Sequence, residues 1–206
     1  MHEEEPNLAS HLADLRANTL IPEGGLSSVI YCGRMKNEGE TNEILAVHRD
    51  IVEREVNSEG TNVTGLLMGQ GTGVMHFIEG PSHAVLRILK GLHEHSHFQP
   101  GTDGSCTQEG RVVYSVEDSP KRYFPEWFSC VLAEKKAQVD DLTNETSMEV
   151  VHSMATGLID MGTRLNQAGH DVDIATFADL LPGKTLILAL CSSSLFFSLA
   201  EYSKTY

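Results

Sequence analysis

The chain has 206 residues, enough for one domain with appendages and a buried core. Its 15 Lys plus Arg stand against 29 Asp plus Glu, a formal net charge of -14. That field repels phosphate backbones and anionic lipid, so neither nucleic acid nor a membrane surface is an expected partner.

The opening "MHEEEPNLAS" is acidic and lacks the basic-then-apolar order of a signal peptide, so a cytoplasmic, reducing compartment is expected. Asn62-Val63-Thr64 is then a sequon without a glycosylation pathway. Residues 1–25 read as a tail carrying one short helix, "SHLADLRA", with Ser10 as its N-cap. "LSSVIYCG" at 26–33 is a strand by its β-branched and aromatic content. From 41 to 56, "TNEILAVHRDIVEREV" sets Ile44, Leu45, His48, Ile51, Val52 and Val56 on one helical face that must pack on a sheet. Two strands follow at 63–68 and 74–79, joined by "GQGTG". A strand on both sides makes that loop a hairpin turn and not a phosphate cradle, which needs a helix after the glycines.

Gly80-Pro81 ends the third strand, and "SHAVLRILKGLHEH" gives a second helix with Val85, Leu86, Leu89 and Leu92 inward. "FQPGTDGSCTQEG" is an exposed connector. "RVVYSVED" and "WFSCVLAE" are two further strands across the loop "SPKRYFPE", where Lys121 and Arg122 are placed to pair with Glu117 or Asp118. The order β-α-β-β-α-β-β is α+β, a ferredoxin-like sheet with one added strand and two helices on one face. The expected division is a tail at 1–25, the sheet domain at 26–134 and a helical extension at 135–206. In the extension Met148, Val151, Met154, Leu158 and Met161 fall at helical spacing and need a surface to pack on. The apolar run at 185–200 is interrupted by serines and is shorter than the roughly 20 residues that span a bilayer, so it reads as buried or partner-covered.

No metal site is expected. Cys32, Cys106, Cys130 and Cys191 form no C-x-x-C pair, and Cys32 and Cys130 fall in predicted strands as core residues. "HEHSH" (His93, His95, His97) sits where a helix runs into a loop, and the aspartates of "HDVDIATFADL" do not match a calcium loop.

The motifs carry a family likeness over about 26–134. Tyr31 in the first strand, Thr64-Gly65-Leu66-Leu67 opening the second, Glu79-Gly80-Pro81 closing the third and Arg122-Tyr123-Phe124-Pro125-Glu126-Trp127 before the fifth resemble the BLUF domain, a blue-light sensor that holds FAD between its two helices. The resemblance implies a pocket in which a Tyr and a Gln bond beside the flavin and an Asn grips its polar edge. Tyr31 matches the tyrosine and Trp127 the tryptophan. His76 stands at the glutamine position, Ser58 at the asparagine position with Asn57 beside it, and Ser129 where a methionine usually follows.

The exchange of Gln for His is chemically consequential. A primary amide holds a donor and an acceptor on one carbon and can swap the bonds it makes, whereas imidazole carries its two nitrogens on different sides of a rigid ring. Each flavin edge group left unsatisfied costs about 1–3 kcal/mol, tenfold or more in affinity. A BLUF-like fold without light sensing and without a cofactor is therefore expected. Tyr31, Ser58, His76 and Trp127 then mark pocket-equivalent positions, and His76 is a core histidine bonded to Tyr31 or to a backbone carbonyl. No acid or nucleophile pairs with it, so no catalytic residue is assigned.

The expected function is a non-enzymatic structural or interaction protein. Among BLUF-like chains the likeness is to a family of animal sperm proteins with a degenerate core and flanking helices. That likeness implies the flagellar axoneme, the inside of doublet microtubules, and tubulin and other axonemal proteins as partners. The alternative is an FAD-binding light sensor with His76 in place of the glutamine and the C-terminal helices as output. A third reading, an enzyme of the acylphosphatase type, offers Arg34 but no phosphate nest.

Overall fold

A computed structural model describes residues 25–37, 39, 41–59, 61–94, 107–133, 144–168 and 174–205, excluding the side chains at 57–59, 107–109, 144–146 and 175. The elements are β1 (Leu26–Met35), α1 (Thr41–Glu59), β2 (Thr64–Gln70), β3 (Gly73–Pro81), α2 (Ser82–Glu94), β4 (Thr107–Val116), β5 (Trp127–Val131), α3 (Asn144–Ala168), a 3-10 helix (Ile174–Leu180), α4 (Lys184–Ser192), β6 (Phe197–Ser198) and α5 (Leu199–Thr205). The predicted N-terminal helix, His95, His97, Cys106, Asp171, Asp173 and the expected boundary at 134 lie outside the described residues.

The strands form one sheet in the order β5-β2-β3-β1-β4-β6. Among the described residues only β2 and β5 are parallel; every other neighbour is antiparallel. This is the expected α+β, ferredoxin-like plan, with β6 as an addition that the sequence reading did not contain. β4 also starts at Thr107, upstream of the predicted start at 111. The hairpin turns at Gly71 and Thr72, with Gln70 paired to Gly73 and Gly71 at φ +54. Positive φ is costly for a residue with a Cβ, which is why this tip is glycine.

Side chains alternate across a strand, and here both sets are buried. One face presents Ile30, Cys32, Leu66, Met68, Met75 and Phe77 to Val151, Met154, Leu158 and Met161 of α3 and to Ile187 and Leu190 of α4. The other presents Val29, Tyr31 and Ile78 to Ile51 and Val52 of α1 and to Val85, Ile88 and Leu89 of α2. β2 and β3 are therefore buried at every position. The surface that the C-terminal extension needed is the sheet face that α1 and α2 leave open.

Two helical faces differ from expectation. In α2 Leu86 is only partly buried, and Ala84 and Ile88 take the inward places. In α3 Met148 is 60% exposed, and the inward residue at that turn is its neighbour Ser147, followed by Val151 and Met154. Further along, Gly162 lets α3 close on Phe124, whose ring would lie 2.8 Å from an added Cβ.

The apolar run at 185–200 forms a strap in which Ile187, Leu190, Cys191, Phe196 and Leu199 are buried, whereas Leu195 and Phe197 are exposed. α4 packs on one sheet face, β6 pairs at Arg111↔Ser198 and Val112↔Phe197 along the β4 edge, and α5 reaches the opposite face. There Leu199 and Tyr202 join the α1/α2 core, and the Tyr202 hydroxyl lies 2.7 Å from Ser115 Oγ. Among the described residues no helix is long and apolar enough to cross a membrane.

Candidate functional site

The pocket-equivalent residues meet because of strand register. Tyr31 on β1 is opposite His76 on β3, His76 is opposite Leu67 on β2, and Leu67 is beside Ser129 on β5. Paired residues project to the same face, so this row points at the helices α1 and α2. α1 adds His48, one of its inward residues, and β5 adds Trp127.

Four rings then pack together. Tyr31 stacks on His48 with centroids 5.7 Å apart, and its edge meets His76 at 5.5 Å. His48 and His76 are 5.9 Å apart, and Trp127 meets His76 edge-on at 5.7 Å. Trp127 Nε1 donates a 2.8 Å hydrogen bond to His76 Nε2. An indole N–H only donates, so Nε2 is the acceptor and the neutral ring carries its proton on Nδ1. His76 Nδ1 is buried and makes no hydrogen bond. The expected partner, Tyr31 or a backbone carbonyl, is thus replaced by Trp127, because the parallel β5 brings the indole over the β3 ring. His48 is oriented by donating from Nδ1 to the Ile44 carbonyl at 2.8 Å.

Electrostatics keep the cluster uncharged. Burial, and secondarily the charge of His48, hold His76 well below the ordinary histidine pKa. Burial, then Cys32, pushes the Tyr31 phenol well above its own. A neutral imidazole and a neutral phenol without water access make a packing unit rather than an acid-base pair.

The other predicted positions fall as follows. Ser58 is in the last turn of α1, with its side chain outside the described residues. Ser129 is half-buried and accepts a 2.9 Å bond from Arg49 of α1. His48 and Arg49 were missed as site members. The signal for His48 was present in its place on the inward face of α1, but helical spacing cannot say which strand residue lies beneath it.

A flavin does not fit here. The rings of Tyr31 and His76 are fully buried against each other and His48 is 1% exposed, so they fill the space beneath the helices. α1 and α2 are also closed on each other: a Cβ on Gly91 would lie 3.3 Å from Ile51 Cγ2. A cavity of about 210 Å³ lies elsewhere, lined by Val150, Ser153 and Met154 of α3 together with Leu180, Leu181, Pro182 and Leu186. Among the described residues no cluster of three His, Cys, Asp or Glu is placed to hold a metal.

The remaining motif residues form a latch. Glu79 is 1% exposed and opposite Thr64 in register. Its carboxylate accepts from Tyr123 N (3.0 Å), Phe124 N (2.9 Å) and Thr64 Oγ1 (3.3 Å). Arg122 donates to the Glu79 carbonyl (3.2 Å) and to Thr64 Oγ1 (3.4 Å), so it turns inward instead of pairing with Glu117 or Asp118. Lys121 lies over the Tyr123 ring at 5.7 Å. Burial raises the Glu79 pKa against the lowering effect of these bonds and of Arg122. The latch fixes the loop that delivers Trp127. Beside Thr64, Gly65 lets the β3 backbone come close: at φ +138, an added Cβ would stand 2.0 Å from the Phe77 carbonyl oxygen. Arg34, weighed as an anion ligand, donates to Ser192 of α4 at 2.8 Å.

Solved structures similar to this chain include "BlrB - a BLUF protein, dark state structure", with 21% identity and a TM-score of 0.44, covering 66% of this chain and 98% of that one. "BlsA photo-activated state" has 12% identity and a TM-score of 0.41, covering 82% and 99%. "BlrP1 BLUF" has 14% identity and a TM-score of 0.39, covering 53% of this chain and 65% of that one, just under two-thirds of its length. No curated protein matches the chain. A family model described as Testis-expressed protein 47 matches residues 25–206, from the start of the sheet through the strap, and the chain belongs to that family.

Proposed function

We propose that this protein is a non-enzymatic structural and interaction component of the sperm flagellar axoneme, seated inside doublet microtubules with tubulin and other axonemal proteins as partners. The observation that carries the reading is the closed ring cluster: His76, held by Trp127 and packed on Tyr31, fills the place where a BLUF sensor keeps its flavin. A filled pocket leaves the fold its outer surface as the means of acting. The family description points to testis, and the flagellum is the sperm structure built from many small packing proteins. The charge of -14 does not favour tubulin, itself acidic, so attachment relies on shape and local ion pairs.

Two experiments test this. Sperm flagella are extracted with detergent and then with high salt, and the protein is quantified in the doublet fraction. Retention with the doublets supports the reading, and quantitative release with the soluble matrix sinks it. Separately, the purified protein is mixed with excess FAD and given a blue flash. A colourless protein after desalting is expected, whereas a retained flavin with a reversible red shift would make His76 a photochemical residue.

A further inference from the structure

We propose that Cys32 and Cys191 are a redox pair: oxidation by a low-molecular-weight disulfide joins them in an intramolecular bond that staples the C-terminal strap to the first strand. Cys32 lies on β1 and Cys191 on α4, both fully buried in the same core cluster and both reduced in the structure. Two flanking contacts bring α4 onto β1 and β3 here. Arg34, two residues beyond Cys32 on the same face, donates to Ser192, the residue after Cys191, at 2.8 Å. One helical turn before Cys191, Ile187 sits over Gly73, where an added Cβ would lie 3.2 Å from Ile187 Cγ2. Gly73 is itself paired with Arg34 in register. A disulfide requires Cα atoms within about 7 Å, and the bare glycine backbone under Ile187 lets α4 lie close against the sheet one turn from Cys191. The thiols also feel each other: burial raises the Cys32 pKa and the charge of Cys191 adds to it.

Buried thiols are inert while the strap is seated, so exchange proceeds from the state in which α4 has lifted. The Cys191 thiolate attacks one sulfur of the oxidant disulfide, forming a mixed disulfide and releasing one thiolate. The Cys32 thiolate then attacks Cys191 Sγ and releases the second. Two protein thiols lose two protons and two electrons, and the oxidant becomes two thiols. The product closes a loop from the first strand to the last helices, which constrains the unfolded chain and holds the strap against the sheet.

The test uses the full chain, equilibrated without denaturant in mixtures of glutathione and glutathione disulfide, quenched with acid, and alkylated in denaturant. Peptide mass spectrometry is expected to show a Cys32–Cys191 cross-link, two hydrogens lighter than the separate peptides, with Cys130 still alkylated. The oxidised protein should melt at a higher temperature than the reduced one, and Cys191→Ala should lose both the cross-link and the shift. The proposal is overturned if Cys32 and Cys191 remain alkylatable at every ratio, if Cys191 stops at the glutathione mixed disulfide, or if the cross-link joins Cys106 or Cys130. The wild-type measurement stands even if the variant fails to fold.

Discussion

Replacing His76 by Gln restores the residue type of a BLUF sensor and removes a buried ionisable ring, and its effect depends on pH with a calculable sign. His76 is fully buried and its folded pKa lies well below the ordinary histidine value of about 6.5. Below pH 6.5 the unfolded chain binds a proton at His76 that the folded chain does not, so stability falls as pH falls through that value toward the folded pKa. At pH 5.5 the unfolded imidazole is protonated about ten to one, so the wild type loses at most RT ln 11, about 1.4 kcal/mol, relative to pH 8. His76→Gln carries no such proton. The raised Glu79 carboxyl acts with the opposite sign, but it is common to both proteins and cancels in their difference. Urea titrations at pH 8 and pH 5.5 should therefore show the variant gaining on the wild type by up to about 1.4 kcal/mol as pH drops. A difference that stays constant to within about 0.3 kcal/mol, or a His76 ring that titrates near its ordinary value by NMR, would refute the reasoning.

Trp127→Phe leaves His76 Nε2 as a buried acceptor without its donor and should cost about 1–3 kcal/mol in urea unfolding; a neutral result would mean that the 2.8 Å bond contributes nothing net. Glu79→Ala strands the Tyr123 and Phe124 amides and takes away the carboxylate charge that faces Arg122, whose bond to the residue-79 carbonyl survives, for about 3–5 kcal/mol. Glu79→Gln keeps one acceptor and should cost less than the alanine, with both losses read as faster hydrogen exchange at those two amides. Because the folded Glu79 pKa is raised, the wild type also loses stability as pH rises from 4.5 through that pKa, a decline that Glu79→Gln should lack. Gly65→Ala combines positive φ with a clash on the Phe77 carbonyl and should cost more than about 3 kcal/mol, showing as insoluble expression; soluble protein with an unchanged melting temperature would contradict the backbone geometry.

Much of the fold was legible because periodicity reports which positions are apolar. The α1 face from Ile44 to Val52 is buried as read, and so are Val85, Leu89 and Leu92 of α2. The BLUF motifs were legible as words, while their meaning was spatial. Thr64, Glu79 and Arg122 are far apart in the chain, and only sheet register and an inward-turning loop join them into a latch. His48 was visible as an inward helical residue, and its stacking on Tyr31 was not, since helical spacing carries no information about what lies opposite.

By itself the sequence determined the order of elements, the hairpin at Gly71, the inward faces of the helices and the loss of the amide at His76. All of these follow from local rules: turn chemistry, periodicity and the identity of one side chain. Tertiary structure alone decided that Trp127 supplies the His76 hydrogen bond, that Met148 stays outside the core, and that the last apolar run wraps the β4 edge as helix, strand and helix. Each of these depends on which surfaces remain uncovered once the sheet has formed, a property of the assembled layers that no single segment carries.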